Sequence, residues 1–337
     1  MFFLKLNRSE KISLSKTEND AHLFTTLILI KFWNLSGAAM YKKILMIKIL
    51  AQPVLESIYA DVKQRSTRFL ISHGTPPHLA VILVGEDPAS VIYTRKKGKI
   101  AVSLGMTHQT LSFPSSTHPQ KIKETVHQLN LDPRVHGVLI QRPLPSSFIE
   151  EEIVNWISPN KDVDAFHPIH AGRLYLGLPT LQPCTPTGIM ELLKYYQINP
   201  SGKIACIIGR SSLVGKPMAA LLLKADATLI HCHQKTPNLA SFTRQADLLI
   251  VATGKAGLID SHFIKAGSVV IDVGVHRNLK GELFGDVQFD EVAQKASAIT
   301  PVPGGVGPMT IGILMQNTVL AAELQNPTPS DREKKNG

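Results

Sequence analysis

The sequence predicts an α/β protein in which two α/β domains flank a cleft, the second a Rossmann-like doubly wound parallel sheet. Three observations carry that prediction. The 337 residues are more than one small hydrophobic core organises. Short apolar runs such as HLAVILVG (78–85) and KIACIIG (203–209) recur and end on glycine, as strands buried on both faces do. Stretches of helical periodicity lie between them, and strands alternating with helices build parallel sheets whose ligands sit at the strand C-termini.

Each element follows from its pattern. Residues 52–72 carry apolar side chains at Val54, Leu55, Ile58, Val62, Phe69 and Leu70, which predicts a helix. The run 78–85 is the first strand, and a helix from about Ser90 to Leu104 follows it. VHGVLIQ (135–141) is the next strand, closed by the turn RPLP, and 147–157 reads as further helix. After PCTPTG (183–188) a second set begins with a helix over Ile189–Tyr196. Strand 203–209 and a helix through Pro217–Leu223 come next, then strands ATLIHCH (227–233), ADLLIVATG (246–254) and SVVIDVGV (268–275). No repeat of solenoid type is visible.

The two ends read differently from this body. Leu23–Ile30 is apolar but too short to span a bilayer. Glu10, Glu18 and Asp20 precede it, where a secretory signal carries only positive charge. Residues 1–45 are therefore expected to stand outside the fold. The preferred explanation is a start placed too early, with Met40 or Met46 the true beginning; a disordered or helical leader is the alternative. The tail 326–337, NPTPSDREKKNG, is Pro-rich and charged and is expected to be disordered.

Composition excludes several classes. The net charge is +10, but the first 45 residues hold seven Lys/Arg against three acids, and no basic stripe follows. A polyanionic small substrate or plain solubility explains that distribution better than nucleic acid does. No apolar run approaches the ~20 residues of a spanning helix, so no membrane association is expected. Cys184, Cys206 and Cys232 are odd in number and form no CxxC pair. That argues against a disulfide scaffold or structural zinc, and it predicts a cytoplasmic protein.

KIACIIGRSSLVGKP (203–217) places Gly209 at the end of a strand and Gly215 where a helix starts. Glycines there allow a tight turn and close backbone approach to a pyrophosphate, and the helix N-terminus offers free N–H groups. The spacing is not GxGxxG, so a plain strand–turn–helix corner is the alternative. The next strand ends His231-Cys232-His233-Gln234 and lacks the acid that usually holds the ribose hydroxyls of NAD. Arg210 and Lys235 are cationic instead, which favours NADP. His231 and His233 alternate onto one face, but no third ligand is evident and no metal is expected.

Tyr93 and Lys97 lie four apart on one helical face near a strand C-terminus. A partly buried lysine beside a tyrosine can transfer protons. Arg95, Lys96 and Lys99 are also present, so from this stretch alone a solvated cationic helix is the stronger alternative. Gln141 ends the next strand on the same rim, and Asp162 and Asp164 share a loop. A carboxylate there can accept two N–H groups from a 2-amino-4-oxo heterocycle, or it can bond to its own backbone as turn aspartates do. TPVPGGVGPMT (300–310) is a Pro/Gly loop stiff enough, and bare enough, to lie against a ligand.

Taken in order, VGEDPASVIYTRKK, QRPLP, KDVDAFHP, PCTPTG, GRSSLVGKP, ATG, DVG, GDV and PVPGGVGPMT resemble the bifunctional methylenetetrahydrofolate dehydrogenase/cyclohydrolase family from about Met46 to Ala322. The resemblance implies NADP-dependent oxidation of 5,10-methylenetetrahydrofolate to the 5,10-methenyl form, then hydrolysis to 10-formyltetrahydrofolate, in one-carbon metabolism and purine biosynthesis. It implies that 46–187 plus 312–325 form a folate-binding catalytic domain and 188–311 an NADP-binding Rossmann domain. It also implies a homodimer through the cofactor domain.

By the same resemblance Lys97 is the catalytic lysine, assisted by Gln141, and Tyr93 lines the folate ring. Asp164 grips the pterin, while Pro303, Gly304 and Gly305 border folate and cofactor. Gly209, Arg210, Ser211, Gly215, Gln234, Thr253, Gly254 and Val275 match the cofactor site. The chain departs from the pattern at Arg142 (usually Leu), Ala165 (usually Gly), Gln234 (commonly Ser or Arg) and Val275-His276 (usually Ile-Asn). Gly98 sits inside a helix, where it costs roughly 1 kcal/mol relative to alanine. A dehydrogenase of another small substrate and a non-catalytic folate-binding paralogue are the rival readings.

Overall fold

A computed structural model describes residues 46–327; the expectations for 1–45 and for 328–337 fall outside the described residues. In chain order the first half runs β1 (Ile47–Lys48), α1 (Gln52–His73), β2 (His78–Val84), α2 (Pro88–Ser103), β3 (Thr107–Phe113), α3 (Pro119–Leu131), β4 (Gly137–Ile140), α4 (Glu150–Ile153) and α5 (Pro168–Tyr175). The second half runs α6 (Cys184–Tyr195), β5 (Ile204–Ile208), α7 (Gly215–Lys224), β6 (Thr228–Cys232), α8 (Leu239–Thr243), β7 (Leu248–Val251), β8 (Val269–Asp272), β9 (His276–Arg277), β10 (Leu283–Phe284), α9 (Phe289–Val292), β11 (Ala298–Ile299) and α10 (Val306–Gln325).

Two parallel sheets form, as the alternation predicts. The first has the order β3-β2-β4 and the second β1-β11-β8-β7-β5-β6. Their central strands are buried on both faces, which is why β2, β5 and β7 are continuous apolar runs rather than alternating ones. The outer face of the first sheet packs on Ile122, Val126 and Leu129 of α3. The outer face of the second packs on Ile259, Ile264 and Val292. The inner faces share one core with α1, α6, α7 and α10.

α6 and α10 join the two sheets, and glycine lets them approach. A Cβ at Gly188 on α6 would stand 2.7 Å from Cβ of Met309, and one at Gly312 on α10 would stand 2.4 Å from Leu55 on α1. Thr185 and Thr310 hydroxyls meet at 2.9 Å across the same contact. Thus PCTPTG and PVPGGVGPMT, far apart in sequence, touch.

Several elements differ from expectation. The division at 188 and 312 falls inside α6 and α10, because both helices pack into the core shared by the two sheets. Ile47–Lys48, not read as a strand in the sequence, pairs with Ala298–Ile299 at the edge of the second sheet. The helix expected over 147–157 shrinks to Glu150–Ile153 between turns. β3 and α3 were not evident in the sequence: β3 is an edge strand of polar residues, THQTLSF.

Gly98 has a packing reason. A Cβ there would lie 2.8 Å from the His108 ring of β3, so the glycine lets that ring rest against α2 one residue beyond Lys97. Gly98→Ala gains about 1 kcal/mol of helix propensity but forces a contact costing about 1–3 kcal/mol. Thermal melts are therefore expected to show Gly98→Ala lowering Tm in the native background and raising it in a His108→Ala background; equal shifts in both would remove the ring contact as the cause.

Candidate functional site

The end of β2 feeds α2 through a short loop. Asp87 Oδ2 accepts the Ser90 N–H at 2.8 Å and Pro88 opens the helix, so α2 starts at a fixed point on the sheet rim. Two turns on, Lys97 is 8% exposed, whereas Arg95, Lys96 and Lys99 stand in solvent. The solvated-helix alternative thus holds for three of the four cations and fails for Lys97.

Lys97 Nζ donates to Gln141 Oε1 at 2.8 Å. Gln141 follows β4; its backbone N–H bonds to Ile82 O at 2.8 Å, and its Nε2 donates to Arg142 O at 2.6 Å. The amide is thereby oriented with its oxygen toward the amine. Burial pulls the Lys97 ammonium below the ordinary lysine range, and the nearby Asp164 and Cys184 oppose that pull.

Asp162 and Asp164 divide the two roles open to the loop. Asp162 takes the turn role: its carboxylate accepts the Ala165 N–H at 3.1 Å and the His167 N–H at 2.7 Å. Burial pushes its carboxyl up to about 7, against those backbone bonds. This turn sets Ala165 at φ 59°, the left-handed region that favours glycine, and so explains why the resembled pattern has Gly there. Asp164 is left free of backbone bonds. Burial also raises its carboxyl, while Lys97 and Arg142 draw it down. The Cys184 thiol beside it donates to Val163 O at 3.3 Å and is pushed well above its usual value by burial.

Tyr93 lies one helical turn before Lys97 and faces the second sheet. With Lys96 it lines a crevice whose other wall is Asp272–Val275 and the loop 301–308, including Pro303, Gly304 and Gly305. Val275 therefore stands at this end, beside Tyr93, and apart from the other expected cofactor residues. A larger crevice of about 500 Å³ lies between α4 and α5 on one side and the start of α7 on the other, with Arg142, Phe166 and Lys216 in its walls.

Gly209, Arg210, Ser211, Gln234 and Thr253 meet in a third crevice at the strand C-termini of the second sheet. Its floor is bare backbone. A Cβ at Gly209 (φ 126°) would stand 2.1 Å from Ala252 O, and one at Gly215 would stand 2.0 Å from Gly209 O. Ser211 Oγ accepts the Val214 N–H at 3.1 Å and closes the turn into α7. Its lining includes Arg210 and Lys255 and no acid, a donor set suited to a phosphorylated nucleotide. His231 bonds to Gly209 O at 2.7 Å, and His233 accepts the Lys235 N–H at 3.2 Å, so both are committed locally.

Sequence reasoning missed the carboxylates beneath these loops. Asp286, fully buried, accepts Thr253 N–H at 2.6 Å, Thr253 Oγ1 at 2.8 Å and Gly254 N–H at 2.9 Å, and meets His276 Nε2 at 2.7 Å. Asp272 accepts the amides of Gly274, Asp286 and Val287 at 2.9, 3.1 and 3.0 Å. Burial raises its carboxyl to about 6. DVG and GDV pair these aspartates with glycines that clear them: a Cβ at Gly285 would stand 1.8 Å from Asp272 Oδ2. That pairing of short motifs was the available signal. Elsewhere Asp260, His262 and Glu291 gather closely enough to share an ion, but Asp260 and Glu291 already hold the amides of His262 and Ser261.

Comparison with known proteins agrees with this geometry. Residues 49–164 match the tetrahydrofolate dehydrogenase/cyclohydrolase catalytic-domain model, and residues 183–326 match the NAD(P)-binding-domain model of the same family. The bifunctional protein FolD of Ligilactobacillus salivarius is 51% identical over 254 residues, 75% of this chain and 89% of that one. Its counterpart from Magnetococcus marinus is 46% identical, over 82% of this chain and 95% of its own. The FolD crystal structure from Campylobacter jejuni superposes with a TM-score of 0.80 at 45% identity, covering 83% of this chain and 99% of that one. The Trypanosoma brucei enzyme, solved with NADP and an inhibitor, gives 0.80 at 31% identity over 84% and 99%.

Asp162 supplies a pH test of the turn. Its folded carboxyl lies above the unfolded value of 3.8, so ionisation opposes folding above about 7 and that penalty vanishes as the pH falls toward 4. The Tm of Asp162→Asn minus that of the native protein is therefore expected to fall between pH 8 and pH 5. A difference independent of pH would contradict a strained carboxylate at this position.

Proposed function

Because the chain belongs to the tetrahydrofolate dehydrogenase/cyclohydrolase family, we propose that Lys97 and Gln141 are the proton-handling pair of its hydrolytic reaction. The protein is a bifunctional enzyme of one-carbon metabolism that oxidises 5,10-methylenetetrahydrofolate to the 5,10-methenyl form and hydrolyses that to 10-formyltetrahydrofolate. The observation that carries the residue assignment is the selective burial of Lys97 and its 2.8 Å bond to an amide fixed by the neighbouring strand.

Bound in the crevice of the second sheet, NADP would supply the hydride acceptor for the methylene carbon of the folate. The bare turn Gly209–Gly215 fits its pyrophosphate, and Arg210 with Gln234 fits the added phosphate, since no acid competes there. Thr253 and Gly254, held by Asp286, complete that wall. The protein's own work is orientation and proton transfer. Asp164 accepts the N–H edge of the pterin. Tyr93, with Pro303, Gly304 and Gly305, borders the folate. In the hydrolytic step water attacks the methenyl carbon. Lys97 takes one proton from this water and returns it to the ring nitrogen that leaves, while the remaining O–H proton is released to solvent as the formyl C=O forms. A neutral amine is needed first, and burial favours it. Gln141 holds the amine in either charge state, because its oxygen accepts from both NH₂ and NH₃⁺.

Val275, Leu279 and Phe284 are exposed apolar residues around the β9–β10 hairpin, which favours a homodimer through the nucleotide-binding lobe. The three cysteines are free and buried, and among the described residues no helix is long and apolar enough to cross a membrane; a cytoplasmic enzyme supplying formyl groups for purine biosynthesis agrees with both facts.

An assay with 5,10-methylenetetrahydrofolate and NADP, then with NAD, tests the reading directly. Lys97→Met is expected to lose cyclohydrolase activity by at least 100-fold, roughly the lower limit of a general acid–base contribution, with NADP affinity kept. Normal hydrolysis in that variant removes Lys97 from the scheme. Asp164→Ala is expected to raise the folate KM by about 10-fold or more, as loss of a charged hydrogen-bond partner does; an unchanged KM refutes the pterin assignment.

A further inference from the structure

This chain places an arginine directly after the glutamine that holds Lys97. The Arg142 backbone already serves the site, its carbonyl accepting Gln141 Nε2 at 2.6 Å and Ser90 Oγ at 3.2 Å. Its side chain is pinned from two sides. The guanidinium carbon lies 5.4 Å from the centre of the Phe166 ring, and Nη1 pairs with the Glu150 carboxylate. Phe166 is two residues beyond Asp164, and Arg142, Phe166 and Asp164 line one small cavity. No direct ion pair within 4.0 Å joins Arg142 to Asp164 among the described residues, so the guanidinium acts on it through space.

The groups around Asp164 explain why that matters. Lys97 on α2 is a cation, Cys184 at the start of α6 is a thiol, and Asp162 in the same turn is a second carboxyl. Arg142 after β4 is the other cation, partly compensated by Glu150 on α4. Lys97 cannot be a permanent counter-charge, because the proposed reaction requires it to be neutral for part of each turnover. Arginine does not deprotonate in this range. Its field on Asp164 persists whatever Lys97 does.

We infer that Arg142 is a positioning residue for folate: held against Phe166 and Glu150, it keeps Asp164 ionised as the acceptor of the pterin N–H edge while Lys97 is neutral. This rests on the reading of Asp164 as that acceptor. Protonation turns one of the two acceptor oxygens of Asp164 into a donor facing donors, and folate binding weakens. Burial pushes the Asp164 carboxyl upward and Arg142 opposes the push, so folate binding weakens as the pH falls, and it weakens at a higher pH without Arg142.

The test measures the dissociation constant of folic acid, used as a chemically stable probe, for the full-length protein from pH 5 to 7.5. Arg142→Leu is expected to move the acidic limb of that curve up by about half to one pH unit, the effect of a cation beyond direct contact. Arg142→Lys is expected to restore most of it. Glu150→Gln, which frees the guanidinium from its compensating charge, is expected to move the limb the opposite way. A curve for Arg142→Leu that superimposes on the native one overturns the inference, as does a Glu150→Gln shift in the same direction as Arg142→Leu. Asp164→Ala separates the two levels. If it weakens folic acid while Arg142→Leu shifts nothing, only the Arg142 role falls; if it leaves affinity unchanged, the pterin assignment and this inference fail together.

Discussion

An ammonium group withdrawn from water and bonded to a single neutral amide oxygen governs this site. Such burial is unfavourable for the charged form, by an amount that the Lys97–Gln141 bond alone does not offset. Much of the surrounding structure makes the arrangement hold. β4 fixes Gln141, the Asp87 cap fixes the start of α2, and Gly98 lets the His108 ring close the far side of the helix. The disfavoured charge is itself the chemical asset. A lysine that gives up its proton more readily than an exposed one can exchange that proton with a reacting nitrogen.

The second sheet solves a different problem with different residues. A pyrophosphate needs uncovered backbone, and uncovered backbone is intrinsically loose. Here the looseness is removed from below. Asp286 anchors the Thr253–Gly254 turn, Asp272 anchors the Gly274 turn and the Asp286–Val287 segment, and glycines at 274 and 285 make room for the carboxylates. α6 and α10, crossing at Gly188 and Met309, bind both sheets into one core, so the walls of the crevice are set against each other by close packing rather than by a linker.

What the sequence made legible follows from how local each signal is. The buried parallel strands are continuous apolar runs and were readable as such. Gln141 and the Gly209–Gly215 corner were readable because a strand end followed by a special turn is a local pattern. Lys97 was not separable from Arg95, Lys96 and Lys99 on its own stretch, since only the partner strand reveals which cation is covered; the family resemblance made that distinction, and the burial agrees with it. Asp162 and Asp164 looked equivalent in KDVDAF, and the choice between turn and free carboxylate is made by the amides of Ala165 and His167. β1 went unread because a two-residue strand takes its identity from its partner β11, about 250 residues away. The Gly98–His108 contact was invisible for the same reason.

The claim on which the account stands is that Lys97 gives up its proton more readily than a surface lysine. Carbon-13 labelling at lysine Cε, with the Lys97 signal assigned by its loss in Lys97→Met, follows that proton directly as the pH is raised. The expected result is a Lys97 midpoint clearly below the ordinary lysine value of 10.5. A Lys97 midpoint at or above 10.5 would contradict it.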